Sequence, residues 1–196
     1  MTRSGAILVC LLALGAGAGC QKAEREPAPP VTVCPEVDAG TIVDPALLAF
    51  LSRARAAHHL ADAAEEKQDL TQAVSVLREF LRGKTPPNRP EAEEVLADTH
   101  ARIAELQSKL GRFEEASASV ERGMQFAKGT TYYLGHLFEI KGLVAERRAK
   151  QLREQGDERA AQAAEKSAIE AFERSMSIQE KVLDELLKPN EERPQP

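Results

Sequence analysis

The chain has 196 residues, enough for one domain of ordinary size, and a formal net charge of -5. Hydrophobic residues make up 42%, aromatic residues only 4%, and tryptophan is absent. This balance favours closely packed helices over a β-sandwich, whose strands need β-branched and aromatic side chains. A mildly acidic chain without a stripe of Lys and Arg also argues against nucleic acid as a main partner, because neutralising phosphates needs clustered cations.

The amino-terminal residues have the pattern of an export signal. Arg3 gives a short positive start, an apolar run covers residues 6–14, and small residues follow up to Cys20. The apolar run is too short for a comfortable membrane-spanning helix, which favours a leader that is removed. An uncut leader that serves as an anchor is the alternative.

The segment Ala18-Gly19-Cys20 resembles the last three positions of the lipobox of bacterial lipoproteins, although Gly17 stands where leucine is usual. The resemblance implies that residues 1–19 are a lipoprotein signal peptide and that Cys20 is acylated, which would anchor the chain in the cell envelope. Gln21 rather than Asp follows Cys20, so the resemblance favours the outer membrane, facing the periplasm. An ordinary thiol after a general signal peptide is the alternative.

Residues 20–43 predict a disordered, proline-rich tether that begins at the lipidated cysteine. Prolines at positions 27, 29, 30 and 35 block helix formation, and no apolar period runs through the segment. Cys34 would have no partner within the mature chain, because Cys10 leaves with the leader and Cys20 is acylated. Cys34 is then either a free thiol or a link between two chains.

From residue 44 to about residue 188, the apolar spacing predicts an all-α domain of six helices that form three hairpins. Asp44 and Pro45 supply a capping carboxylate and a first-turn proline. The breaks between helices fall at Gln68-Asp69, 85–89, Gly111-Arg112, Gly129-Thr130 and Gly156-Asp157. The spacing places seven large side chains in the core: Leu77, Phe80, Phe113, Val120, Phe126, Phe138 and Phe172. Residues 189–196 are expected to form a disordered tail.

The first two hairpins share one pattern. Each has a large-small pair, a polar turn, an apolar residue after the turn, and then alanine followed by a bulky residue four positions later. The small residues of this pattern are Ala61, Ala73, Ala104 and Ala116. The pattern resembles the tetratricopeptide repeat (TPR), a helix–turn–helix of about 34 residues, although Gln107 replaces its usual tyrosine and the spacing from Ala61 to Ala104 is 43 residues. The resemblance implies a superhelix of about three hairpins.

The third hairpin is expected to be elongated. Gly142 and Ala168 take its small positions, but each lies about seven residues, or two turns, farther from the turn than in a TPR. Insertions of one heptad in both helices keep their apolar faces in phase, which predicts a projecting antiparallel coiled coil. Its seam would place Ala145, Ala149 and Leu152 against Ala160, Ala161 and Ala164. The last helix would continue through Ile178, Val182, Leu183 and Leu186 and cap the open end.

The sequence has no motif for catalysis, cofactor binding or a metal site. It lacks a glycine-rich phosphate loop, a His-Glu-x-x-His segment and a Cys-x-x-Cys pair. His58 and His59 are adjacent and point in different directions on a helix, while His100 stands at a position that is usually aromatic in the repeat, which favours packing. We therefore expect neither an enzyme nor a cofactor.

The TPR resemblance implies a groove lined by the first helix of each hairpin, which would hold an extended peptide or a partner helix. The positions carried over are Arg55, His58, Asp62 and Glu65, then Asp98, Ala101, Glu105 and Ser108, then His136, Glu139, Leu143 and Glu146. This surface would be mostly acidic, which favours a basic or mixed apolar partner segment. The expected function is a membrane-anchored adaptor or assembly factor that binds proteins of the cell envelope. The alternative is a structural lipoprotein that self-associates through its long carboxy-terminal hairpin.

Overall fold

The computed structural model describes residues 44–188, which contain six α-helices and no β-strand. The helices are α1 (Pro45–Glu66), α2 (Leu70–Leu81), α3 (Pro90–Lys109), α4 (Phe113–Met124), α5 (Tyr132–Glu154) and α6 (Glu158–Leu187). The prediction of an all-α body with six helices is therefore confirmed for this range. The predicted leader (1–19), tether (20–43) and tail (189–196) lie outside the described residues, as do Cys20 and Cys34.

The turns inside the three hairpins have the same backbone geometry. In each, the third residue past the helix donates to a carbonyl five residues back, and the residue before it donates to a carbonyl three residues back. This is the Schellman motif, which needs a positive φ at its central residue. Gly111 and Gly156 supply it with φ of 72° and 81°, whereas Gln68 adopts a φ of 61° without the freedom of glycine.

The small residues predicted from the repeat lie in the interior. Ala61, Ala73, Ala104 and Ala116 are at most 1% exposed. In the third hairpin, the backbone of Gly142 lies directly against Phe172, since a Cβ added at this glycine would approach the Phe172 ring to 2.5 Å. Small side chains therefore allow the two helices of each hairpin to pack closely.

The apolar core joins neighbouring hairpins as well as the helices within each hairpin. Two clusters connect α1 and α2 with α3, and a third connects α3 and α4 with α5. α3 is packed on both α1 and α5, so the first helices of the three hairpins lie side by side. This arrangement brings the predicted surface residues of α1, α3 and α5 onto neighbouring elements.

Four of the seven predicted core residues are buried, and three are only half-buried. Leu77, Phe80, Phe113 and Val120 are at most 8% exposed. Phe126, Phe138 and Phe172 are of intermediate exposure, although Phe126 packs against the core and Phe172 packs against Gly142. The half-buried ring of Phe138 has the charged groups of Lys141 and Arg174 about 6 Å from its centroid.

The elongation of the third hairpin falls mainly on its second helix. α5 has 23 residues, close to the 22 of α1 and the 20 of α3, whereas α6 has 30 and both α2 and α4 have 12. No glycine or proline interrupts α6, so nothing in its sequence ends it earlier. In the predicted seam, Ala149 and Ala161 are buried, while the other four residues are half-buried.

Only one face of the carboxy-terminal end of α6 packs against the body. Ile178 is buried, but Leu183 and Leu186 are 57% and 59% exposed. The prediction that these two leucines cover the open end is therefore wrong, because more than half of each residue remains exposed. Their exposure leaves an apolar face on the last helix.

Candidate protein-binding surface

The twelve predicted groove residues differ in how far they are exposed. Arg55, Asp62, Glu139 and Glu146 are exposed, and six others are half-buried: His58, Glu65, Asp98, Glu105, His136 and Leu143. Ala101 and Ser108 are wrongly placed by the prediction, since they are 0% and 3% exposed. Ala101 belongs to the core cluster of α3, α4 and α5, because these three helices pack more closely at that level than an open groove would require.

An ion-pair network occupies the surface where α1 and α3 meet. Arg102 pairs with Asp62 at 3.2 Å, with Glu65, and with Glu105 at 3.2 Å. Lys109 pairs with Glu65 at 2.6 Å and with Glu105 at 3.0 Å. Two cations of α3 therefore connect two carboxylates of α1 with one carboxylate of their own helix.

A cation of α5 extends this network to the third hairpin. The guanidinium of Arg147 donates to the Oγ of Ser108 at 2.7 Å and lies 3.9 Å from a carboxylate oxygen of Glu105. Ser108 also donates to the carbonyl of Glu105. The first helices of all three hairpins are thus joined by polar side chains, although Ser108 acts from a buried position.

The network determines the ionisation of its central groups. Burial opposes ionisation of Glu105, but the hydrogen bond and charge of Lys109 and the charges of Arg102 and Arg147 outweigh it, so the pKa of Glu105 is lower than usual. Burial likewise opposes the charge of Lys109, but hydrogen bonds to Glu65 and Glu105 outweigh it and raise the pKa of Lys109. Both groups are therefore charged near neutral pH.

The expectation of a mostly acidic surface is wrong at this network. Asp62, Glu65 and Glu105 are matched by Arg102, Lys109 and Arg147, so the three predicted acids are neutralised locally. The positions expected from the TPR resemblance did not include these three cations. The spacing of Arg102 and Lys109 from Glu105, three before and four after, was the signal that could have identified two of them.

Two carboxylates of the same α3 face are not neutralised in this way. Glu94 and Asp98 form no ion pair within 4.0 Å among residues 44–188, and both are half-buried. Tyr133, at the start of α5, lies near them: burial raises its pKa first, and the charges of Glu94 and Asp98 raise it further. We name this group of Glu94, Asp98 and Tyr133 the acidic patch.

The histidines of the predicted surface form local contacts. Nε2 of His58 lies 3.1 Å from the hydroxyl of Thr99, which itself donates to the carbonyl of Val95. His136 stacks on Tyr132 with an interplanar angle of 8° and lies 3.1 Å from a carboxylate oxygen of Glu139. Within the described range, no group of three His, Cys, Asp or Glu side chains could hold a metal ion.

Gln107, which departs from the repeat pattern, has a structural role that the sequence did not indicate. Its side chain is fully buried, accepts a hydrogen bond from Ser119 at 2.7 Å, and donates to Glu115 at 3.0 Å. Glu115 in turn pairs with Arg78 of α2 at 2.9 Å. The hydrogen bonds of Arg78 and Gln107 lower the pKa of Glu115. Gln107 therefore joins α3 to α4 through satisfied polar contacts.

Comparison with known proteins adds no family: no protein-family model, curated protein or solved structure shows significant similarity to the chain. Among the helices of residues 44–188, none combines the length and apolar character needed to cross a bilayer.

Proposed function

We propose that the chain is a membrane-anchored lipoprotein of the cell envelope whose TPR-like helical body binds other proteins as an adaptor or assembly factor. The observation that carries this proposal is the acidic patch on the side-by-side first helices. Glu94 and Asp98 have no ion-pair partner in the described range, and the hydroxyl-bearing ring of Tyr133 lies near them. Unpaired charge at a half-buried position has an electrostatic cost that a bound cationic group would remove.

The TPR-like character of the body is supported by repetition rather than by length. The three Schellman turns repeat at Gln68, Gly111 and Gly156, and small residues lie at the close packing points of each hairpin. Adjacent hairpins also share core clusters, as stacked repeats do. These features favour a helical-repeat body that offers an extended surface.

The partner is expected to present a basic or mixed apolar segment. The neutralised network of Asp62, Glu65 and Glu105 is already satisfied and offers little to a ligand. Glu94 and Asp98 are one turn apart on α3, so their carboxylates can face one Lys or Arg side chain together. Tyr133 would then add a hydrogen-bonding and apolar contact beside that cation.

Site-specific photocrosslinking in the native envelope tests the adaptor function. A photoreactive residue in place of Asp98 should give a discrete protein adduct, and Glu94→Gln should reduce the yield of that adduct because the patch loses charge. A photoreactive residue in place of Glu121, which lies on α4 and is exposed, is the matched control. Equal adducts from positions 98 and 121, or an adduct that Glu94→Gln leaves unchanged, would contradict the proposal.

Lipid anchoring is tested separately at Cys20. The variant Cys20→Ala removes the thiol that would be acylated and should move the protein from the membrane fraction to the soluble fraction. Gln21→Ala is the control and should leave membrane fractionation intact. Membrane association of the Cys20→Ala protein would reject lipid anchoring without affecting the photocrosslinking result.

Self-association is the second candidate function, and the exposed apolar face of α6 favours it. Ile169, Met176 and Leu183 recur every seven residues and are 53%, 64% and 57% exposed. Such spacing is typical of a helix that pairs with another helix. If this candidate is correct, light scattering should give a dimer mass that Met176→Lys converts to a monomer mass. A monomer for the unaltered chain would reject it.

A further inference from the structure

A cavity of about 440 Å³ lies on the side of α3 opposite the acidic patch. Its wall contains Leu96 and His100, which are displaced by half a helical turn from Glu94, Asp98 and Glu105 on the same helix. The carboxy-terminal half of α2 and the end of α4 complete the wall. The cavity is therefore separate from the proposed protein-binding surface.

The polar lining of this cavity is cationic, and the rest is mainly apolar. Arg78, Arg82 and Arg122 line it together with Leu81 and Phe126, and no Asp or Glu is among its lining residues. Arg78 and Arg82 each pair with a carboxylate outside the cavity, Glu115 and Glu79. Arg122 has no carboxylate within ion-pair distance in the described range, so its charge is available to a ligand. Guanidinium groups present paired donors that match the two oxygens of a carboxylate.

A buried histidine forms part of the cavity wall. His100 lines the cavity, is 9% exposed, and stacks on Phe126 with ring centroids 5.8 Å apart. Its Nδ1 is buried and has no hydrogen-bond partner among the described residues. Burial, followed by the charge of Arg122, lowers the pKa of His100 to about 4, so the ring is neutral at physiological pH. A neutral imidazole has one N–H donor and one acceptor.

Close packing fixes this histidine in place. A Cβ added at Gly123 would lie 3.1 Å from the Cβ of His100, so the glycine of α4 allows the two helices to approach at this level. The ring is bounded by Phe126 on one face. His100 is therefore a positioned group rather than a mobile surface side chain.

We propose that this cavity binds a small organic anion, a carboxylate carried on an apolar group, with the carboxylate at Arg122 and His100 and the apolar group against Leu81, Leu96 and Phe126. A carboxylate oxygen would accept from the guanidinium of Arg122 and from the Nε2–H of His100, because the buried Nδ1 is out of reach of a ligand. The apolar substituent would cover the leucine and phenylalanine side chains. The volume is enough for a ligand of a few carbon atoms but not for a folded segment.

Titration of the full chain with a series of probes tests the site. Hexanoate should bind more tightly than acetate, since both carry the charge but only hexanoate fills the apolar wall, and hexylamine should not bind. Binding is followed by the NMR signals of the histidine rings, among which those of His100 should shift most. Failure of hexanoate to shift the His100 signals, or equal binding of hexylamine, would overturn the proposal. If inorganic phosphate binds as tightly as hexanoate, the proposed role of the apolar wall is wrong.

Two variants with a matched control identify the groups that bind. Arg122→Gln should weaken hexanoate binding by about tenfold, and His100→Phe, which keeps the aromatic stacking but removes the ring N–H donor, should also weaken it. Arg159→Gln changes an exposed arginine at the start of α6 and should leave the affinity unchanged. Helicity by circular dichroism shows that each variant is folded. Equal affinities for Arg122→Gln and Arg159→Gln in folded proteins would overturn the assignment.

Discussion

Replacing Gly123 by alanine tests whether the stability of the helical body depends on the close approach of neighbouring helices at this glycine. A Cβ at this position would lie 2.6 Å from Cδ2 of Leu137 and 3.3 Å from the carbonyl oxygen of Ala97. Leu137 and Ala97 are both 0% exposed, so neither has free space into which it can move. A neighbouring side chain or helix must move to admit the new methyl group, and the close packing of the interior opposes this movement.

The expected loss of stability follows from two opposing effects. Overpacking of a closed interior costs about 1–3 kcal/mol, whereas alanine gains up to about 1 kcal/mol over glycine in a helix interior. Gly123 is in the last turn of α4, where the gain is smaller. The free energy of unfolding of Gly123→Ala should therefore fall by about 1–2 kcal/mol, and the midpoint of thermal unfolding by about 3–6 °C.

Circular dichroism at increasing temperature and urea measures this change. Gly135→Ala is the matched control, because its nearest neighbour is the flexible side chain of Gln179 at 3.1 Å, and it should change stability by less than about 0.5 kcal/mol. Combining Gly123→Ala with Leu137→Val should cost less than the sum of the two single changes. A Gly123→Ala protein as stable as the unaltered chain, or strictly additive costs, would refute the packing argument.

Three further predictions concern the turns and the ion-pair network. Gln68→Gly should raise the free energy of unfolding by about 0.5–1 kcal/mol, since glycine adopts the φ of 61° without steric cost, while Lys67→Gly, at a φ of -84°, should not. Asp157→Ala removes the side chain that accepts from the amide of Ala160 at 3.0 Å and should cost about 1 kcal/mol in urea unfolding, whereas Arg112→Ala, at the equivalent position of α4 without such a bond, should cost almost nothing. The pKa of Glu105 is lower in the folded chain than its ordinary value of 4.5. The ionised carboxylate therefore stabilises the fold fully above pH 4.5, and this stabilisation is lost as the pH falls through the pKa of the folded chain. As the pH falls below about 5, the free energy of unfolding measured in urea should therefore decrease less for Glu105→Gln than for the unaltered chain. The same decrease with pH in both proteins would contradict this.

The helices and their turns could be predicted from the sequence because their causes are local. A capping aspartate, a first-turn proline and glycine-containing breaks act on residues within one or two turns. Asp69 and Asp157 accept hydrogen bonds from amides three residues ahead, a relation that the sequence contains directly. The small residues at Ala61 and Ala104 were likewise predictable, since their spacing follows the helical period.

The chemistry of the surface could not be predicted because it depends on residues far apart in the chain. Arg102 meets Glu65 across 37 positions, and Arg147 meets Ser108 across 39. Position in a repeat predicted which acids face the surface, but not which cations would neutralise them. The lack of an ion pair at Glu94 and Asp98 is seen only after the pairs of Asp62, Glu65 and Glu105 are known.

By itself, the sequence determined that this chain forms six helices, where the turns inside the three hairpins fall, and which small residues allow close packing, because these depend on short-range backbone sterics and hydrogen bonds. Only the tertiary structure decided which charges cancel and which remain, and that His100 lies buried beside three arginines around a cavity. Electrostatic and cavity properties arise from distances between separate helices, and those distances are set by the packing of the whole body.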